Sequence, residues 1–414
     1  MKQGNFKKKK ENGITLIALV VTIVILLILS GVTINMLLGE NGIIRTAQEA
    51  KNTWEGAVSN EQQEIQNLVN ELNNIMNGND DSEGGSGGDE NIDPDTGWDL
   101  DKVTKVPSED EPSINVPVPK GFTPSTADGE KTVEGGFVIQ QDGTNNEFVW
   151  IPVSEERLAQ MYTTETVALS GGTGVTTNIY SKSSIYTMGK PGETGYREPD
   201  LVTDYDTDSQ YYSIINGAAS PQEFAQDMID EYKEIHDSIK RYGGFYIGRY
   251  ELTGEIGSPT VEKGGMVTKT NWYNLKAACM KIVNNEGKQE SEIIAKTTMM
   301  YGNQWDEVCN WLSGAGYDIE DSTSWGNYRD NTEEGAGKKQ TAGYKETWKA
   351  NNIYDFAGNC YEWTQEALNT RRRVMHGGDY YNSGSNAPAS HRDNDSPDID
   401  GNSRFSTRPT LYIM

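Results

Sequence analysis

Cysteine and histidine are scarce in this sequence, with three residues of each among 414. Cys279, Cys309 and Cys360 are too few for a disulfide scaffold, and their number is odd. Cys309 and Cys360 either form one disulfide or stay reduced and buried. The sequence also lacks a Ser-His-Asp order, a phosphate-binding glycine loop and a paired-carboxylate motif. No catalytic motif stands out from the residues alone.

Basic residues are outnumbered, with 36 Lys and Arg against 62 Asp and Glu and a net charge of −26. Such an acidic surface repels phosphate backbones, so we expect no nucleic-acid partner. An acidic surface of this kind suits a soluble domain on the outside of a cell. Only 35% of the residues are hydrophobic, which leaves room for one sizeable globular domain and non-globular parts.

The long apolar run of the chain lies near its start. Residues 14–38 carry no charge and are long enough to cross a hydrocarbon core of about 30 Å as a helix. Lys2 and the lysines at 7–10 precede this run, and the positive-inside rule therefore places the N-terminus in the cytoplasm. We predict a single-pass membrane protein, anchored through residues 14–38, with an extracellular head.

Residues 1–13 form a basic leader that ends at Gly13. In a secretory signal the small residues follow the apolar core, whereas here the glycine precedes it. The order Gly-Ile-Thr-Leu-Ile resembles the type IV prepilin leader over about residues 7–40, which implies processing between Gly13 and Ile14. Pilins usually have glutamate at the fifth mature position, and this chain has Ala18. Membrane anchoring is therefore favoured over filament assembly. A plain signal anchor and a minor pilin with pilin-type helix partners remain the alternatives.

Two further segments separate the membrane run from the head. In residues 39–76, apolar residues recur at spacings of three and four, which predicts an amphipathic stalk helix. Residues 77–115 are acidic and rich in glycine and serine at their start, and we expect a flexible linker.

The globular head is predicted to span residues 116–414. Short apolar runs such as NEFVWIPV (146–153) and GGFYIGRYEL (243–252) alternate with Gly, Asn and Asp turns and predict strands. Helices are predicted at 221–244 and 304–316. Few helices and short, irregular strands indicate an α+β head, carried on a long N-terminal transmembrane and stalk helix.

Several phrases of the head resemble one family in order. Examples are QWDEVCNWL (304–312), YDFAGNCYEWTQE (354–366) and RFSTRPTLYI (404–413). They resemble the formylglycine-generating, sulfatase-modifying-factor family, which implies a C-type-lectin-like fold. The family's Gly-Asn-x-x-Glu-Trp phrase is matched by Gly358, Asn359, Glu362 and Trp363. Its later Arg-Gly-Gly-Ser-Trp and Gly-Phe-Arg phrases are only partly kept.

The oxidases of that family hold copper with two cysteines that follow the Gly-Gly phrase, and thiolates suit Cu(I). Residues 376–414 contain no cysteine. Relatives that use iron need several histidines, and this chain has only His236, His376 and His391. We therefore predict no enzymatic activity and no required cofactor, with a metal-dependent oxidase as the alternative.

The resemblance also implies a structural Ca²⁺ site. Its oxygen ligands would come from Asp355, the carbonyls of Gly358 and Cys360, and Glu362. The alternative is that Glu362 only pairs with an arginine or with the backbone.

The segment DYYNSGSNAPASHRDNDSPDIDGNS (379–403) has five Asp, five Ser and four Asn but no Lys, Glu, Gln, Met or Trp. The loop at 331–349 uses Lys, Glu, Gln and Trp freely. Every residue type in 379–403 has a codon that ends in a pyrimidine, whereas the missing types have none. Randomised adenines in asparagine codons would produce this composition. An ordinary polar loop, rich in turn residues, is the alternative.

This composition resembles the variable region of diversity-generating retroelement proteins, which carry a C-type-lectin-like domain. The resemblance implies a variable region at about 376–408 on a fixed framework of Gly377, Gly378, Ala389, Arg392, Pro397 and Arg408. Its aromatic, Asn, Ser and Asp residues are typical of adaptable binding surfaces, and its acids favour a basic partner. The predicted ligand-binding residues are Asp379, Tyr380, Tyr381, Asn382, Ser385, Asn386, His391, Asp393, Asn394, Asp395, Ser396, Ile399, Asp400, Asn402 and Ser403. We therefore expect a surface-displayed protein that binds an unknown protein or surface ligand.

Overall fold

The computed structural model describes residues 91–162, 164–167, 175–178, 212–214, 217–218, 221–267, 269–369 and 372–414. These residues belong to one compact unit, Asp89–Met414. The predicted leader, membrane span and stalk, residues 1–76, lie outside them. Within the described ranges, no helix has the length and apolar character needed to cross a membrane.

The described chain combines many short strands with a few helices. The strands are β1 Val103–Pro107, β2 Asn115–Pro119, β3 Phe122–Pro124, β4 Val138–Gln141, β5 Glu147–Pro152, β6 Thr164–Val167, β7 Val175–Asn178, β8 Gly244–Gly248, β9 Thr253–Glu255, β10 Ser258–Thr260, β11 Ala295–Met299, β12 Lys349–Ala350, β13 Ile353–Tyr354, β14 Tyr361–Asn369, β15 Arg372–His376, β16 Arg392–Asp395, β17 Phe405–Thr407 and β18 Pro409–Ile413. The α-helices are α1 Glu155–Met161, α2 Pro221–Tyr242, α3 Trp272–Cys279 and α4 Gly302–Gly314. Short 3-10 helices are found at Tyr212–Ile214, Glu290–Glu292 and Glu346–Trp348. The predicted α+β class is confirmed, and the lectin-like fold stays a prediction.

A six-stranded antiparallel sheet forms the centre of the head, in the order β11-β18-β8-β5-β4-β3. Successive side chains of a strand point to opposite faces of the sheet. Here each face packs into a hydrophobic core of its own, so both faces of the central strands are buried. In β5, Phe148 and Trp150 join one hydrophobic core, and Val149 and Ile151 join a second. This explains why FVWIPV (148–153) is continuously apolar instead of alternating.

A four-stranded sheet, in the order β16-β15-β14-β17, carries the C-terminal segment. Strands β14, β15 and β16 are antiparallel, and β17 pairs with β14 in parallel. Its apolar side chains, among them Trp363, Met375 and Phe405, pack into the first core together with α3. The segment from β15 to β17 is therefore fixed at both ends to the same strand, β14.

The two predicted helices are confirmed within two residues at each end, as α2 and α4. Trp305, Val308, Cys309 and Leu312 are fully buried in the second core, on the face predicted from their spacing. All three cysteines are free and buried, which matches the reduced alternative.

The head begins before the predicted boundary at residue 116. Strand β1 pairs in full with β2, and Trp98 and Val103 are buried in the first core. The prediction of a flexible linker to residue 115 is therefore wrong for 91–115. Residues 91–115 are mostly polar, but the few apolar side chains among them bury enough surface against the core to hold this stretch in one conformation.

Arg408, between β17 and β18, joins the two sheets through a buried guanidinium group. Its Nε and Nη2 donate to the two carboxylate oxygens of Glu362 in β14, at 3.0 and 2.6 Å. Its Nη1 donates to the Gly248 carbonyl in β8, at 2.9 Å, and Nη2 also donates to the Tyr354 carbonyl. Removing one partner of such a pair leaves an uncompensated charge in the interior.

We expect Arg408→Ala to lower the free energy of unfolding by about 3–5 kcal/mol, because it leaves Glu362 buried and unpaired. The matched control is Arg372→Ala, which removes a half-exposed arginine 3.0 Å from Asp395 and is expected to cost about 1 kcal/mol or less. Denaturant unfolding of the two variants measures both effects. Equal losses would show that Arg408 does not hold the sheets together.

Candidate functional site

The candidate site is the segment that leaves β15 at Gly377, returns as β16 and enters β17. It starts in a tight turn, where Gly377 and Gly378 have φ angles of 81° and 70°, a region that favours glycine. A Cβ added at Gly378 would lie 2.2 Å from the Ala387 carbonyl oxygen. Because residue 378 has no Cβ, its backbone can approach that of residue 387 closely. The loop between these two residues therefore folds back on itself.

Arg392 anchors the middle of the segment to the scaffold. Its Nη2 donates to Asp306 Oδ2 of α4 at 2.5 Å, and its Nε lies 3.2 Å from both carboxylate oxygens of Glu366 in β14. All three side chains are buried. The planar guanidinium can bond two carboxylates at fixed angles, which a lysine cannot do.

A second anchor precedes Arg392. The Ala389 carbonyl accepts a hydrogen bond from Trp305 Nε1 at 2.9 Å, and the Ala389 amide donates to Ser322 Oγ at 3.0 Å. The Ser390 hydroxyl donates to the Ile319 carbonyl at 2.8 Å. Residues 387–390 are consequently buried, although they lie in the middle of a polar stretch.

Most of the predicted ligand-binding residues lie at the surface. Tyr381 has 64% of its side chain exposed, the largest value among the large exposed hydrophobic residues of the described chain. Ser385, Asn386 and Asp400 are also exposed. The half-buried residues are Tyr380, Asn382, His391, Asp393, Asn394, Asp395, Ser396, Ile399, Asn402 and Ser403. The six predicted framework residues, in contrast, are all buried.

Asp379 is the exception, and its prediction as a surface contact is wrong. Its side chain is fully buried, because its Oδ1 accepts the Tyr381 amide at 2.8 Å and its Oδ2 lies 3.1 Å from Arg404 Nη1. Burial raises the pKa of Asp379, and these contacts act in the opposite direction. Asp379 therefore shapes the loop that presents Tyr381 and does not present itself.

His376, at the end of β15, contacts Glu366, which is also a partner of Arg392. Its ring stacks on Trp305 with 5.0 Å between centroids, and its Nε2 lies 3.3 Å from Glu366 Oε2. Burial lowers the pKa of His376 to about 4, so the imidazole is neutral at pH 7. His391 is half-buried beside the Tyr361 ring, and burial lowers its pKa as well.

The residues predicted to bind calcium lie at a turn beneath the segment. Both oxygens of Glu362 accept hydrogen bonds from Arg408, which corresponds to the alternative for this residue. Asp355 Oδ2 accepts the Gly343 amide at 2.6 Å, and its Oδ1 has no hydrogen-bond partner among the described residues. Glu362 could bind Ca²⁺ only by giving up these contacts with Arg408. Calcium binding by Asp355, the Gly358 and Cys360 carbonyls and Glu362 stays a prediction.

A metal centre for catalysis is not evident in the described ranges either. No group of three or more His, Cys, Asp or Glu side chains there is arranged to hold an ion. Cys360 is buried, with its thiol 3.1 Å from Met266 Sδ, and burial raises its pKa well above the usual value. These surroundings keep the thiol protonated and give it a packing role.

The sequence did not identify the partners of the site. Asp306, Glu366 and Arg404 lie within the family-like phrases 304–312, 354–366 and 404–413. Nothing in those phrases shows that Asp306 and Glu366 contact Arg392 or that Arg404 contacts Asp379.

Among the solved structures that this chain resembles, two illustrate how weak the likeness is. PvdO from Pseudomonas aeruginosa has 13% identity and a TM-score of 0.30, over 41% of this chain and 81% of that chain. Treponema denticola variable protein 1 has 12% identity and a TM-score of 0.29, over 70% of this chain and 99% of that chain. No family model and no curated protein matches the sequence. Likenesses at these TM-scores define neither fold nor function.

We expect Gly378→Ala to destabilise the head by about 1–3 kcal/mol more than Gly401→Ala, because the new Cβ would overlap the Ala387 carbonyl. Gly401 is the matched control, since its φ of 84° is also positive but a Cβ there meets no atom within 4 Å. Thermal unfolding of both variants tests this. Equal destabilisation would mean that the 378–387 approach is not required.

We expect His376 to make the head less stable at acidic pH. Its pKa in the folded state lies below the ordinary value of 6.5, so its contribution is lost as pH falls from 6.5 to 4. The loss amounts to about 3 kcal/mol at pH 4. Burial raises the pKa of Asp306 and the paired Arg392 lowers it, and a net rise gives the opposite pH dependence.

The measurement is therefore the difference in unfolding free energy between the wild type and His376→Gln, taken at several pH values. This difference cancels the acids that titrate alike in both proteins, and its change with pH reports on His376 together with Glu366, which it contacts. A difference that does not change between pH 7 and pH 4 would contradict the lowered pKa.

Proposed function

We propose that this protein is a recognition protein, whose C-terminal face binds a ligand and is diversified by a retroelement. The head is displayed outside the cell and anchored through residues 14–38, with processing between Gly13 and Ile14. No chemistry is assigned to the head, and no cofactor is required. The ligand is a protein or another surface molecule.

One observation carries this proposal. All of the fifteen predicted ligand-binding positions except Asp379 are exposed or half-buried, whereas the six framework positions, and with them Ser383 and Ser390, are buried. This separation of buried and accessible positions is what a contact surface needs if its side chains change while its backbone stays fixed.

The physical properties of the segment suit recognition. Tyr381 provides a large, rigid and amphipathic contact at a low cost in conformational entropy. Asn, Ser and Asp around it provide adaptable hydrogen bonds. Because the backbone is held by Arg392 and Ala389, little further ordering is needed on binding, which favours affinity.

The neighbouring DNA tests the diversification directly. We expect a reverse-transcriptase gene and a near-copy of the coding segment for 379–403 that differs from it only at adenines. We also expect no differences at the codons for Ala389, Arg392 and Pro397 that change the residue. A genomic neighbourhood with neither gene nor copy would leave the polar-loop interpretation in place.

The oxidase alternative has a separate test. The purified protein should contain no stoichiometric copper or iron, and His376→Ala should not change its metal content. Bound copper or iron that is lost in His376→Ala would overturn the recognition proposal in favour of an enzyme.

A further inference from the structure

The variable positions are too few to make a protein interface by themselves. A standard interface buries about 800 Å² on each partner and involves roughly 20–30 residues a side. Fourteen of the predicted positions are exposed or half-buried. If the proposed function holds, a protein that covers these positions must also contact residues that do not vary.

The neighbour that supplies such residues is the stretch 318–333, which we term the bordering loop. Its Ser322 amide donates to the Gly384 carbonyl at 3.1 Å, and its Arg329 amide donates to the Asn382 carbonyl at 3.0 Å. In return, the Gly384 amide donates to Asp330 Oδ1 at 3.0 Å. These bonds place the bordering loop directly beside the loop that presents Tyr381, Ser385 and Asn386.

The contact between the two loops is close and rigid. A Cβ added at Gly384 would lie 2.3 Å from the Thr323 amide nitrogen, so the two backbones touch. Further along, the Ser390 amide donates to the Ile319 carbonyl at 3.2 Å. The fixed and variable loops therefore form one continuous surface.

The bordering loop contains a cavity of about 510 Å³. Its lining residues are Asp318, Asp321, Thr323, Ser324, Asp330, Asn331, Thr332 and Glu333, none of which belongs to the segment 379–403. Asp318, Asp321 and Asp330 are exposed. No ion pair joins these three to a basic side chain in the described part of the chain, whereas Glu333 lies 3.2 Å from Lys345 Nζ.

The segment itself adds no basic side chain that would neutralise this cavity, and Arg329 of the bordering loop is exposed and forms no ion pair with Asp318, Asp321 or Asp330 in the described part of the chain. The segment has no lysine, and Arg392 is buried in its own ion pairs. Asp393, which is half-buried, and Asp400, which is exposed, are further acids of the segment. Complementary charge across an interface sets the choice of partner and speeds association.

We propose that the partner is a folded protein with a basic surface, bound by a composite face. The variable positions around Tyr381 set which protein is recognised. The bordering loop makes a constant contact, in which a lysine or arginine of the partner enters the acidic cavity. This inference rests on the proposed function, and it names the class of ligand.

The test is a library of the full-length protein, displayed on cells, with the fourteen positions randomised by codons that end in a pyrimidine. The library is selected against lysozyme as a basic folded probe and against serum albumin as an acidic one. We expect more and tighter binders for lysozyme. In each lysozyme binder, Asp318→Asn with Asp321→Asn should weaken the affinity about tenfold, a change of about 1.4 kcal/mol.

The matched control is Glu286→Gln with Glu290→Gln, which removes the same charge from two exposed acids outside the bordering loop. It should change the affinity by less than about twofold. Unchanged thermal unfolding shows that each variant is folded. Lysozyme binders that tolerate the bordering-loop change as well as the control would overturn the composite face, and a preference for albumin would overturn the basic partner. A folded library that yields no binder to either probe would instead overturn the proposed function.

Discussion

The buried contact of Arg392 with Asp306 and Glu366 is the constraint on which the candidate site depends. It joins a strand of the C-terminal segment to a helix of the second core and to the strand that carries the Gly-Asn-x-x-Glu-Trp phrase. A buried guanidinium is costly unless its charge and hydrogen bonds are satisfied. The two carboxylates meet that requirement only in one position of β16. The arginine therefore fixes where the segment lies and divides it into two surface stretches.

The rest of the site follows from that division. Before Arg392, the stretch 379–391 is held by the Gly378 turn and the Ala389 hydrogen bonds, and it borders the loop 318–333. After it, β16 and the stretch up to β17 run along the four-stranded sheet, where the Trp272 amide donates to the Pro397 carbonyl at 2.9 Å. The exposed side chains between these anchors, such as those of Tyr381, Ser385 and Asn386, project outward and contribute little to folding. They are free to change for the same reason that they are free to bind.

The sequence predicted those parts of the fold that local patterns determine. The apolar run at 146–153 and the helical faces of 221–244 and 304–316 are local signals, and each corresponds to an element at nearly the predicted bounds. The β1–β2 pair escaped prediction because its stability comes from distant core residues that contact Trp98 and Val103. Helix α3 has only eight residues and is almost entirely buried, so it shows no amphipathic period. The partners of Arg392 depend on contacts between elements, which a single sequence does not display.

Asp379 shows that residue composition alone does not determine which positions of the segment can vary. By composition it cannot be distinguished from Asp393 or Asp400, since aspartate at all three fits the codon pattern. Its surroundings differ, because it follows the Gly377-Gly378 turn and must satisfy the Tyr381 amide and Arg404. Substitution at this position would disturb the loop that presents Tyr381, whereas the same substitution at Asp400 would change only the surface. A codon pattern therefore identifies which residues a mutagenic process can write, and the hydrogen-bond environment determines which of them a fold can accept.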